Sequence, residues 1–164
     1  MSENFYLDNP DLRFHMEQMV DWERLVELKE DLGSEECPYS SAADATEMYL
    51  QMLRNVVGEL AGGKIAPRAK AVDEKGCTYH DGEVEFPPEL KQNIADLSEA
   101  GLTGVTYERK YGGMFLPRTF YSAATEIISP AYSRDSSSGS LPSSVYRMSA
   151  PSLGQLNATY WGAK

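Results

Sequence analysis

The chain has 164 residues, 41% of them hydrophobic and 24% charged, with a formal net charge of −10. That length fits one domain with a real core, and the composition is that of a globular chain and not of a disordered one. The negative balance argues against a nucleic-acid partner and against an anionic membrane surface, since both need clustered Lys and Arg. All 25 acidic residues lie at or before Asp135, so the acidity belongs to the helical part. Cys37 and Cys77 are too few and too far apart for a secreted disulfide framework. The N-terminus shows no basic region followed by an apolar run, and no window approaches about 18 uninterrupted apolar residues. A reduced, cytoplasmic protein is the expectation.

In chain order, Asp8 or Asn9 can cap a helix with Pro10 in its first turn. Leu12, Met16, Met19, Trp22, Leu25, Val26 and Leu32 then form an apolar stripe, which predicts one long or two consecutive helices ending near Gly33. Residues 34–41 combine turn formers with Pro38 and read as a loop. From Ala42, positions Ala45, Tyr49, Met52, Leu53, Val56, Val57 and Leu60 keep helical spacing. Ile65, Ala69 and Val72 extend that stripe, although Pro67 should kink or break the helix. Residues 76–87 have no helical period, and Asp81-Gly82 between Thr78-Tyr79 and Val84-Phe86 predicts a small β-ribbon or an extended excursion.

A helix over residues 88–100 follows, with Gly101 just past its last periodic residue. Gly112 and Gly113 then allow a sharp turn and a close approach. Pro117 opens a helix read as ending at Ser129, with Phe120, Ala123, Ala124, Ile127 and Ile128 on one side. Beyond residue 133 seven serines crowd together from Ser133 to Ser144, and residues 136–164 carry only Arg147 and Lys164 as charges. This composition predicts a disordered or loosely attached tail.

Several constellations invite chemistry and lose to simpler readings. Gly58 to Lys64 has the glycine and lysine spacing of a phosphate-binding loop. Ile65 stands where the hydroxyl is needed, however, and a helix instead of a strand precedes it. His15, Cys37, Cys77 and His80 lack short metal-ligand spacing, so no metal site is assigned. Asp21, Glu23, Glu27, Glu30 and Asp31, with Glu35 and Glu36, are most simply solvated faces.

The stretch from residue 101 to 129 carries a resemblance. Ala100-Gly101-Leu102-Thr103-Gly104, then Glu108-Arg109-Lys110-Tyr111-Gly112-Gly113, then Glu126-Ile127-Ile128-Ser129 resemble the N-terminal helical domain of the acyl-CoA dehydrogenases. Upstream, Lys64-Ile65-Ala66-Pro67-Arg68-Ala69 with Val72-Asp73 and Pro87-Pro88-Glu89-Leu90 are similar to earlier helices of that family. Phe5-Tyr6-Leu7-Asp8-Asn9-Pro10 resembles the extended N-terminus of one of its branches. The resemblance favours one helix running through Pro67 and covers roughly residues 5 to 129. Where the family runs on through an arginine-alanine-aspartate step, this chain has Pro130-Ala131-Tyr132-Ser133. A divergent loop and a truncated or frame-shifted reading frame both explain the change.

Composition sets off the Ser-rich tail (133–164), and the resemblance implies an all-α antiparallel bundle, with an N-terminal extension (1–41) before the family's helical domain (42–132). It implies membership of an FAD-dependent enzyme of fatty acid metabolism, which oxidises an acyl-CoA thioester to the 2,3-enoyl form and passes electrons to an electron-transfer flavoprotein. A full-length member can be a homo-oligomer. The family carries its catalytic glutamate in a C-terminal helical domain and holds most of the FAD in a middle β-domain, so no catalytic residue is assigned here. Glu108 and Glu126 match scaffold positions only. The implied role is a fragment, inactive alone, whose Tyr111, Gly112, Gly113, Phe120, Ala124 and Ile127 line one wall of the acyl-CoA pocket. Two other readings stay open. One is a non-enzymatic helical interaction module; the other is a stand-alone acyl-CoA-binding protein using Arg109, Lys110 and Arg118 for the CoA phosphates.

Overall fold

One long helix organises the bundle, and it begins at Ser41, whose hydroxyl accepts from the Asp44 N–H at 3.1 Å. In the computed structural model, which describes residues 3–133, this helix starts as α3 (Ala42–Met52) and finishes as α4 (Ala66–Lys75). It is unbroken between them and passes through two π-helical stretches, Leu53–Gly58 and Ala61–Ile65. The second stretch ends two residues before Pro67 and contains Gly63, whose carbonyl the proline leaves without its usual donor. A widened turn gives the proline ring room beside the preceding carbonyls, so the helix continues where propensity alone would stop it.

The glycines of the false phosphate loop have a packing role. A Cβ on Gly58 would lie 2.2 Å from Asn4 Oδ1, and one on Gly62 would lie 1.9 Å from the Glu3 carbonyl oxygen. The opening residues therefore lie directly on the helix backbone. Asn4 Nδ2 donates to the Arg54 carbonyl at 2.8 Å, and the Phe5 N–H donates to the Gly58 carbonyl at 3.2 Å. Tyr6 is fully buried beneath this strap, with its hydroxyl donating to Glu17 at 3.2 Å.

Asn9 caps α1 (Pro10–Phe14), which runs on through a π-helical turn, His15–Met19. Val20 is extended and Asp21 caps α2 (Trp22–Lys29), so the N-terminal stripe forms two helices. Past α4, strands β1 (Thr78–His80) and β2 (Glu83–Glu85) pair antiparallel, with Tyr79 opposite Val84. Asp81 and Gly82 have φ of 49° and 91°, the left-handed pair that a two-residue hairpin turn requires.

Helix α5 (Pro88–Glu99) runs antiparallel to the long helix, with Glu89 against Lys75 and Asp96 against Arg68 and Lys64. Gly101, at φ 73°, ends it. Helix α6 (Arg118–Ser133) returns beside the long helix, and the aromatic rings of Phe120 and Tyr49 meet edge-on, 6.3 Å apart. It runs through Pro130 to Ser133, four residues beyond the sequence expectation. Ala131, wholly buried, anchors that last turn, while the Glu126 carbonyl that Pro130 leaves without a helical donor belongs to an exposed residue.

The helices thus share one core, with α5 antiparallel to the long helix and α6 parallel to it. Tyr6, Leu12, Trp22 and Val26 from before residue 41 share that core with Tyr49, Leu53, Val57, Ile65 and Phe120 from after it. The Ser-rich tail lies outside the described residues.

Candidate functional site

Between α5 and α6 the chain makes two short 3-10 turns, Leu102–Gly104 and Arg109–Tyr111, and then the double glycine. The two glycines serve different ends. Gly112 has φ 82° with open space around it, so it supplies a left-handed turn. A Cβ on Gly113 would stand 2.2 Å from the Tyr107 carbonyl oxygen, so it supplies close approach. The loop is closed by the Met114 N–H donating to the Gly104 carbonyl at 3.2 Å, Phe115 to Tyr107 at 2.8 Å and Leu116 to Val105 at 2.7 Å. Phe115 has φ 61°, a left-handed conformation that costs a bulky residue about 1–3 kcal/mol.

Beside this loop lies an open groove of about 540 Å³. Its floor is the long helix, with Met48, Met52 and Val56; one wall is Pro38 and Tyr39, and the other is Gly113, Met114 and Leu116. Apolar side chains dominate, three of them methionines that can repack around different shapes. No carboxylate lines it among the described residues.

The groove is held from below by an ion pair. Arg109 donates through both terminal nitrogens to Glu30, at 2.8 and 2.7 Å, and the Glu30 side chain is only 1% exposed. The bidentate hydrogen bonds to Glu30, outweighing the opposing effect of burial, leave the Arg109 guanidinium even harder to deprotonate than usual. The Tyr49 hydroxyl also donates to Glu30, at 3.3 Å. Burial above all, then the neighbouring Tyr39 and Glu30, push the Tyr49 phenol well above its ordinary range. Arg109 lies 5.6 Å over the Tyr39 ring and 5.5 Å over Phe115, and Lys29 Nζ lies 3.7 Å over Phe115 on its own account.

The residues singled out from sequence divide into two sets. Tyr111 is 62% exposed and Gly112 is exposed, whereas Gly113 lines the groove. Phe120, Ala124 and Ile127 are buried in the core, behind the glycine loop. Arg109 is committed to Glu30, Lys110 to Glu108, and Arg118 stacks 5.3 Å over Tyr121. Glu30 corrects the reading of its acidic run as solvated. Trp22, Val26 and Glu30 fall four apart on one face, and the first two are core residues. A carboxylate on a core stripe was the available signal. Met48, Met52 and Met114 had no such marker.

Comparison with known proteins fits this geometry. A family model for the acyl-CoA dehydrogenase N-terminal domain matches residues 48–151. The chain belongs to this family. It is 27% identical over 121 residues to a 3-methylmercaptopropionyl-CoA dehydrogenase of Ruegeria pomeroyi, covering 74% of this chain and 19% of that protein. It is 33% identical over 81 residues to the probable acyl-CoA dehydrogenase YngJ of Bacillus subtilis, covering 49% of this chain and 18% of that protein. The acyl-CoA dehydrogenase N-terminal domain therefore spans about a fifth of the length of the curated relatives it matches. Among the described residues, none of its helices is long and apolar enough to cross a membrane.

Proposed function

We propose that this domain supplies one wall of an acyl-CoA site, in a dehydrogenase that oxidises an acyl-CoA thioester to its 2,3-enoyl form. The observation that carries the reading is the apolar groove bounded by the family's own glycine loop. Tyr111, Gly112 and Gly113 present the loop to the acyl group, and Phe120, Ala124 and Ile127 back it from the core. Both curated relatives are named as acyl-CoA dehydrogenases, one for a short thioether acyl group, and a methionine-lined groove suits such a chain.

The described residues do not by themselves fit FAD. The groove is apolar, and Arg109 and Lys110 beside it are engaged with Glu30 and Glu108, leaving neither free to hold a pyrophosphate. No step is therefore assigned through the flavin. Nor is Glu30 a base, since both its oxygens face Arg109. The reading has this domain inactive alone, with FAD, the base, the electron-transfer flavoprotein contact and any self-association residing outside residues 3–133, and with the cytoplasm as its compartment.

Visible absorbance of the purified chain, with calorimetric titration of FAD and octanoyl-CoA, tests this reading. A colourless chain that binds octanoyl-CoA weakly is expected. A yellow chain, or tight FAD binding, would overturn the claim of inactivity alone; no acyl-CoA binding would count against the wall. A second reading, an interaction module, draws support from the exposed Phe14, Met19 and Leu28 on the N-terminal helices.

A further inference from the structure

The three walls of the groove come from stretches far apart in sequence, and each sends a donor to the same carboxylate. From the loop of Pro38 and Tyr39, Cys37 Sγ lies 3.9 Å from Glu30 and equally 3.9 Å from the Tyr39 carbonyl, its one proton shared between the two acceptors. Tyr49, between Met48 and Met52 on the floor, donates at 3.3 Å. From the glycine loop, Arg109 donates twice, across 79 residues of sequence. Lys29, next to Glu30, holds the ring of Phe115, the bulky residue that the loop keeps at positive φ. The family match begins at residue 48, so the residue holding these walls lies outside it.

We propose that Glu30 is the positioning residue of the groove, setting its width and the conformation of the Gly112-Gly113 loop through Arg109, Tyr49 and Cys37. The inference rests on the reading of the groove as an acyl-CoA wall for its functional meaning, and on geometry alone for its structural content. A buried ion pair is a poor source of net stability but a strong source of orientation, because the fork of a guanidinium meets a carboxylate in one plane. Replacing both partners with apolar residues of similar volume leaves stability near its original level while removing that orientation.

The test uses Glu30→Gln and the paired variant Glu30→Leu with Arg109→Met in the full chain, read by amide hydrogen exchange and by octanoyl-CoA titration. The amides of Met114, Phe115 and Leu116 report the loop, and those of the long helix report the fold. Positioning predicts loop exchange at least about tenfold faster in both variants, with long-helix exchange in the paired variant within about threefold of the original. Unchanged loop exchange in the paired variant would overturn the proposal, as would acceleration equal in loop and helix. If the original chain binds octanoyl-CoA, the paired variant should bind about tenfold more weakly. Undiminished binding in the paired variant would overturn the claim on groove width. If the original chain does not bind it, the acyl-CoA reading falls, and faster loop exchange still supports Glu30 as the residue that positions the loop.

Discussion

Of the arginine-carboxylate pairs that brace the long helix, the two nearest its ends, Glu30 with Arg109 and Asp96 with Arg68, differ in what surrounds them, and Arg54 with Glu17 lies between. Near α3, Glu30 is enclosed, and its pairing with Arg109 joins segments 79 residues apart. Near α4, Asp96 accepts from Arg68 across 28 residues and from Gln92 at 3.2 Å, with Lys64 Nζ at 3.6 Å. Arg68 and Arg109 are equally exposed, at 27% and 26%, and both carboxylates are buried, so the difference lies in the further partners: Lys64, 54% exposed, beside Asp96, and the buried Tyr49 beside Glu30. Breaking the Glu30 pair therefore leaves buried groups unpartnered, whereas around Asp96 the exposed Lys64 can return to water.

Breaking each pair from one side should expose that difference. Glu30→Ala strands a partly buried guanidinium and is expected to lower unfolding free energy by about 3–5 kcal/mol, with Asp96→Ala lowering it by about 1–2 kcal/mol. Urea denaturation of the two variants measures both, and equal losses would erase the distinction. The next effect belongs to the strap. Gly62→Ala drives a Cβ to 1.9 Å from the Glu3 carbonyl oxygen, where backbone must move. A loss of about 1–3 kcal/mol is expected, with proteolytic cleavage shifting to residues 3–9. Resistance equal to the original chain would mean the strap is held elsewhere.

Much of this was legible because the signals are local. Asn9-Pro10, Asp81-Gly82, Pro87-Pro88 and Ala100-Gly101 each fix an element end through φ preference or a cap, and the structure places ends at all four. The helix through Pro67 needed the family resemblance, since the widened turn that admits the proline has no sequence signature. Ser129 as the end of α6 failed because burial of Ala131 outweighs the one hydrogen bond Pro130 removes. At the site, the glycines were visible and Glu30 was not. Its neighbours in the acidic run, Glu23 and Glu27, are exposed, and only the phase of Trp22 and Val26 sets it apart.

Smaller effects follow from titration, and they carry opposite signs at the two ends of the pH scale. Hydrogen bonding to Arg68, more than any other contact, holds the Asp96 carboxyl below its ordinary 3.8. A depressed carboxyl contributes stability that is present above the unfolded value and is lost as pH falls through the folded one. Stability should thus decline below about pH 4, and Asp96→Asn should flatten that limb. Tyr6 is pushed up to about 12, by burial first and then by Glu17. A raised phenol contributes stability below its ordinary 10.0, lost as pH rises towards the folded value. Tyr39, Tyr49 and Tyr132 are raised by burial as well, so Tyr6→Phe should make the alkaline limb shallower without abolishing it. Melting temperatures across pH check both, and a Tyr6→Phe profile as steep as the original would assign the loss to the other tyrosines.

The smallest effect is expected where the chain is least packed. In the β-ribbon, Tyr79 is 69% exposed and Val84, its cross-strand partner, is 54% exposed. A two-stranded ribbon is marginal alone, and here the turn at Asp81-Gly82 supplies what local order there is. Neither strand contributes to the core that Tyr49 and Phe120 share, so its loss should not propagate. Tyr79→Ser is therefore expected to change unfolding free energy by less than about 0.5 kcal/mol, while ribbon amides exchange faster and those of the long helix do not. A loss comparable to that of Asp96→Ala would mean that the ribbon is coupled to the bundle, and α5, which follows it directly, would be the element transmitting the change.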